Sequence, residues 1–207
     1  MKKLLFTAAI VALGFTTVNA QEVKFGVKAG VNLASLSGDD TDDLDGRTSF
    51  HVGGVAEIMI SEKFSFQPEL MYSSQGAQTS FEDEFEKEEG TVKLDYINVP
   101  LMGKFYVAEG FSIEAGPQIG FLMNAEAEVE YTNKEFPEFS ASGTQDIKDE
   151  VSGIDFGVNF GLGYKLESGL NFGARYNLGL SNVNDYEGSD DDKVNNSVIQ
   201  VSVGFMF

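Results

Sequence analysis

The chain has 207 residues, 33 Asp and Glu against 14 Lys and Arg, a formal net charge of −19, no cysteine, no tryptophan and one histidine. Disulfides, cysteine metal centres and histidine-rich metal sites are thereby excluded, and so much negative charge repels a phosphate backbone, which argues against a nucleic-acid partner. The apolar fraction of 42% is too high for a disordered acidic tail, and the length suits one domain with a core or one barrel.

Met1-Lys2-Lys3 is followed by a charge-free, mostly apolar stretch from Leu4 to Val18 and by small residues at Val18-Asn19-Ala20. This pattern predicts a secretory signal peptide over 1–20 and a mature domain over 21–207, in which 33 acids face 12 bases. No later stretch has 18 consecutive apolar residues, so no spanning helix is predicted.

From Val23 onward the pattern has period two, the signature of half-buried strands. In the first run Val23, Phe25, Val27, Ala29, Val31 and Leu33 share one face, and Lys24, Gly26, Lys28, Gly30 and Asn32 the other. The second, about 49–61, sets Phe50, Val52, Ala56, Ile58 and Ile60 against His51, Val55, Glu57 and Met59. The third sets Phe64, Phe66, Pro68, Leu70 and Tyr72 against Ser65, Gln67, Glu69, Met71 and Ser73. In the fourth, about 92–107, Ile97, Val99, Leu101 and Phe105 oppose Asn98, Met102, Lys104 and Tyr106, while Lys93 and Asp95 fall on the apolar parity. That irregular start predicts an end projecting beyond the apolar zone; a bulge near Tyr96 would serve as well. The fifth carries Phe111, Ile113, Ala115, Ile119, Phe121 and Met123 against Ser112, Glu114, Gln118 and Asn124. The sixth, about 152–166, sets Ile154, Phe156, Val158, Phe160, Leu162 and Tyr164 against Asp155, Asn159 and Lys165. The seventh sets Leu170, Phe172, Ala174, Tyr176 and Leu178 against Asn171, Arg175 and Asn177. The last runs from Ile199 to Phe207.

Connections of a few residues after the second, fourth and sixth runs alternate with long ones over 37–48, 79–91, 125–150 and 182–195. Eight runs with short turns at one end and long loops at the other predict an all-β fold, an eight-stranded antiparallel up-and-down transmembrane β-barrel. Lipid is expected outside. The polar face mixes glycine with charges of both signs, which can neutralise one another in a narrow lumen. An apolar band about 25 Å tall needs about ten tilted residues per strand, and most runs supply them. Phe64, Tyr72, Phe111, Tyr164, Phe205 and Phe207 sit toward run ends, as interfacial girdles do.

Gly26 to Asn32, Tyr96-Ile97-Asn98-Val99-Pro100-Leu101, Glu114-Ala115-Gly116-Pro117-Gln118 and the terminal Val203-Gly204-Phe205-Met206-Phe207 resemble the PorT-type outer-membrane β-barrel family of Bacteroidota, over essentially all of the mature chain. The resemblance implies an eight-stranded barrel in the outer membrane of a Gram-negative bacterium, with Phe207 as the signal read by the barrel-insertion machinery. It assigns no activity; the founding member is tied to secretion of proteases.

The four long connections hold 24 of the 33 acids and only five bases. They are read as a solvated, repulsive surface, with divalent cations or a basic surface partner as the functional alternative. Asp42, Asp43 and Asp45 in Thr41–Gly46 are the metal candidates, although Thr41 and Val52 stand where a calcium loop needs its first and twelfth ligands. An inward polar network is expected from Lys24, Lys28, His51, Glu57, Glu69, Lys104, Glu114, Asp155, Lys165 and Arg175. His51 beside Glu57 or Asp155 would be the one acid–base pair available to an outer-membrane enzyme. No cofactor is expected, and a closed barrel can stand as a monomer. The leading reading is a non-enzymatic envelope or surface-interaction protein anchored by outer-membrane lipid. A narrow channel or secretion-system accessory is the alternative, and an enzyme or a soluble lipocalin-like carrier the remaining ones.

Overall fold

The computed structural model describes residues 22–207 except 40, 42, 187, 190 and 191, so the expected signal peptide and Asp42 lie outside the described residues. The strands are β1 (Val23–Gly38), β2 (Asp45–Ser61), β3 (Phe64–Glu82), β4 (Glu86–Ala108), β5 (Phe111–Asn133), β6 (Ala141–Asp146), β7 (Ile154–Lys165), β8 (Leu170–Gly179) and β9 (Val194–Met206). Eight of them close an antiparallel ring in which each pairs with its chain neighbour, β5 passes directly to β7, and β9 returns to β1. The ninth, β6, pairs only with β5 and stands outside the ring. The Phe207 amide donates to the Phe25 carbonyl at 2.8 Å, which carries the seam to the last residue.

The alternation read in the sequence is the wall of this ring. Phe25, Val27, Leu70, Phe105, Phe156, Phe160, Val201 and Phe205 all point outward and are exposed, whereas Glu57, Glu69, Asn98 and Asn159 point inward and are buried. A soluble barrel has the opposite arrangement, and an exposed apolar belt right around a molecule is untenable in water. The soluble-carrier reading is therefore set aside. At the short-turn end the chain reverses within two to four residues. Gly110 (φ 73°) and Gly169 (φ 92°) supply the left-handed conformation there, and a Cβ on either would strike a carbonyl oxygen at 2.4 or 2.3 Å.

At the other end the connections differ from the expected loops. Residues 79–91 are strand except for a reversal at 83–85, and 125–133 continue β5. β3, β4, β5 and β6 thus form a sheet that stands beyond the apolar band. Ile97 is the last outward apolar residue of β4, so about ten residues of that strand lie past it, roughly 30 Å of chain at 3.3 Å per residue. Sequence periodicity missed this because the apolar–polar contrast changes sense. Above Tyr96 the outward positions carry Lys93 and Asp95, and the inward ones carry Leu94 and Val92. Both expected solutions for this region are present, the projection and a bulge. Asp95 pairs with Asn124 but Tyr96 with Leu122, so Met123 is the extra residue, on β5 opposite Tyr96. The bulge shifts parity, buries both Leu122 and Ala125, and turns Glu126, Glu128 and Glu130 toward water.

Candidate functional site

Seven of the expected inward charges form one chain of alternating sign. Lys28 donates to Glu69 at 2.7 Å, and Arg175 clasps the same carboxylate through both terminal nitrogens at 2.9 and 3.0 Å. Arg175 reaches on to Glu114 at 3.3 Å; Lys104 lies 3.3 Å from Glu114 and 3.5 Å from Glu57; Lys165 closes the series on Glu57 at 2.5 Å. Each carboxylate faces two cations, which lets groups this deeply buried remain charged. Tyr106 donates its hydroxyl to Glu57, and its ring lies below the Lys165 and Lys104 ammonium groups. Gln67 bridges Lys104 and Glu69. Tyr106 and Gln67 sit on the polar parity in the sequence, but neither residue type marks a charge network, and only the closure of the ring brings them to it.

Three members of the expected network lie elsewhere. Lys24 is at the rim, half-exposed, and pairs with Glu22 at 3.1 Å. His51 is buried but meets Asn32 through Nδ1 at 2.7 Å, and Gln200 donates to the same Asn32 oxygen. It pairs with neither Glu57 nor Asp155, so the acid–base pair considered for an enzyme is not assembled. Asp155 is buried higher up and accepts from the Ser181 hydroxyl at 2.8 Å.

The lumen is filled. Two spaces among Lys28, His51, Lys104, Glu114 and Arg175 measure about 20 and about 10 Å³, room for a water or two. At the far end an apolar cap closes it. Leu94, Tyr96, Leu122, Ala125, Val151 and Val183 are buried together, with Leu36, Val92 and Ile147 packed around them. Val151 and Val183 come from the two longest connections, which are stitched in by backbone bonds: Ile147 to the Ala125 carbonyl, Leu122 to Gly153, and Ser152 to Val183.

Outside, the standing sheet is acidic. Glu82, Asp83, Glu86, Glu88, Glu89, Glu126, Glu128 and Glu130 lie on it, and Lys93, Lys134 and Lys87 pair with Glu128, Glu82 and Glu89. The amides of Phe85 and Glu86 donate to the Asp83 carboxylate at the reversal and hold it below the usual carboxylate range; the Lys134 hydrogen bond does the same for Glu82. Phe81, Phe85, Phe136 and Phe139 are exposed at its tip. Of the metal candidates, Asp43 and Asp45 are exposed, and no group of three His, Asp or Glu side chains gathers to hold a metal among the described residues.

A family model for the outer membrane protein beta-barrel domain matches residues 19–185, and the chain belongs to that family. Its place is accordingly the outer membrane. Among solved structures, Ail, the attachment invasion locus protein of Yersinia pestis, superposes with a TM-score of 0.50 at 13% identity, over 90% of this chain and 99% of Ail. Neisserial surface protein A gives a TM-score of 0.48 at 15% identity, over 90% and 99% of the two chains. At these identities the likeness to Ail is one of fold. No curated protein matches the chain.

Proposed function

With membership of that family as the premise, we propose that this chain is a non-enzymatic outer-membrane anchor whose acidic standing sheet meets basic surfaces or divalent cations outside the cell. The observation that carries the reading is that β3, β4, β5 and β6 continue past the apolar band as ordered, outwardly acidic sheet while the lumen beneath is packed. A structure built for conduction needs an open path, and a filled lumen under an apolar cap favours the anchor over the narrow channel or secretion accessory. The expected Bacteroidota origin and the PorT-type assignment fit the same reading, as does a role for Phe207, outward-facing at the seam, in recognition by the insertion machinery.

The test uses cells displaying the full chain. Retention on a poly-lysine surface and calcium binding are compared between the parent and a variant with Glu89, Glu126, Glu128 and Glu130 changed to Gln. The variant should insert normally, shown by a heat-dependent gel shift, and lose most retention at low salt. Equal retention at equal display would sink the proposal.

A further inference from the structure

The standing sheet ends on an unpaired strand. β6 pairs with β5 on one side, and none of the described strands pairs with its other edge. All six of its residues are exposed. The phase of the β5–β6 ladder gives the direction of its backbone groups. The Ile147 amide donates to the Ala125 carbonyl, one step beyond the Glu126–Asp146 pair in the register. Hydrogen-bonded and non-hydrogen-bonded pairs alternate in an antiparallel ladder, so Gln145, Gly143 and Ala141 bond to β5. Ser142, Thr144 and Asp146 therefore turn their amides and carbonyls away from the sheet. Free edges are blunted elsewhere by lysine, proline or a bulge; Ala141–Asp146 has neither residue and pairs with β5 without a register shift.

The two faces beside this edge differ in chemistry. On the outer face Ser142, Thr144 and Asp146 lie opposite Glu130, Glu128 and Glu126. Of that row of glutamates, Lys93 pairs with Glu128. A strand added at β6 would stand one strand spacing from Asp146 and two, about 9–10 Å, from the glutamates. A lysine or arginine and a glutamate close that gap together over the small Ser142 and Thr144. On the inner face Gly143 lies opposite Val129, which is 49% exposed, and Ala141 opposite Tyr131. A Cβ on Gly143 would meet nothing within 4 Å, so an apolar side chain of the added strand has room to lie across this glycine onto Val129. A second copy of β6 does not fit, because Ala141–Asp146 has no base and pairing would set one acidic row against another.

We propose that β6 receives, by strand addition, an extended segment of a partner protein in which apolar residues alternate with lysine or arginine. Main-chain hydrogen bonds to Ser142, Thr144 and Asp146 hold the segment, its basic side chains face the glutamate row, and its apolar ones face Val129. The inference rests on the acidic-sheet reading and names the partner of that sheet. It adds a requirement that charge alone does not make. The bases must recur at every second residue, because only then do all of them face the acids.

The test takes the full folded chain in detergent and a fluorescent heptapeptide of alternating valine and lysine. Its isomer with contiguous lysines is the composition control. Two further copies are N-methylated, one on the lysine amides and one on the valine amides. The parent should bind the alternating peptide about tenfold or more tighter than the isomer. One N-methylated copy should bind and the other fail, since only one set of amides faces β6. Thr144→Pro removes an amide that points away from β5, so the β5–β6 bonds remain, and a heat-dependent gel shift shows the barrel folded. It should weaken the alternating peptide about tenfold or more while cells displaying it keep the parent's retention on poly-lysine. Equal binding of the two isomers by the parent, or of the two N-methylated copies, would overturn strand addition and leave the acidic-sheet reading standing on the poly-lysine result. Absence of both peptide binding and poly-lysine retention in the parent would overturn the two together.

Discussion

Replacing Glu69 by alanine strands the Lys28 ammonium and leaves Arg175 with Glu114 alone. The Glu69 side chain has no exposed surface and accepts four hydrogen bonds: from Lys28 at 2.7 Å, from Arg175 at 2.9 and 3.0 Å, and from Gln67 at 2.7 Å. All four end on a charged carboxylate, each worth about 1.5–3 kcal/mol taken singly, and three of them come from cations. Their sum overstates the loss, because Arg175 keeps Glu114 at 3.3 Å and water can enter the space vacated by the side chain. Lys28 keeps no carboxylate at all. The governing figure is the cost of removing one partner from a buried pair, about 3–5 kcal/mol. Urea titration of the inserted barrel, followed by cold gel mobility, measures it. The double variant Glu69→Ala with Lys28→Met removes the stranded ammonium and should recover at least about 1 kcal/mol. A single-variant loss below about 1 kcal/mol with no recovery in the double variant would refute mutual neutralisation as the reason these charges stay in the lumen.

Val201 is 58% exposed on the lipid face, so Val201→Arg should cost about 2–4 kcal/mol in a vesicle unfolding titration, whereas Ser202→Ala, one residue along and facing inward, should cost under about 1 kcal/mol. Leu94→Ala empties the middle of the cap; the opening free energy of residues 147–151 and 183, read by hydrogen exchange, should fall by about 2–5 kcal/mol with the barrel wall unchanged. The Asp83 carboxyl is depressed in the folded state, so its hold on the 83–86 reversal is complete above its ordinary value of 3.8 and disappears as the pH falls through the lowered one. Amide shifts of Phe85 and Glu86 should titrate below 3.8, and titration at or above that value would show that the carboxylate does not bind them.

The ring of eight strands was legible because lipid outside and a packed polar lumen inside impose a strict two-residue period, visible from Val23 to Leu33 or Ile154 to Tyr164 without knowledge of any partner strand. The inward charges were legible for the same reason, one residue at a time. Which of them meet was not. Lys165 and Glu57 are 108 residues apart, Arg175 and Glu69 are 106 apart, and only the stagger at which the barrel closes brings them within bonding distance. His51 shows the limit: parity turns it inward, but register gives it Asn32 rather than a carboxylate.

The standing sheet was hidden because the environment changes from lipid to water along the same strands. There the apolar side must face the inside, so Lys93 and Asp95 look like errors in a lipid-facing pattern and Leu94 and Tyr96 like errors in a polar one. Met123 supplies the frame shift that reconciles the two on β5. A linear sequence therefore determines the period of alternation, since that depends only on what lies on each side of a single strand. Closure, stagger and the height at which water replaces lipid decide which charges pair and where the acidic sheet begins.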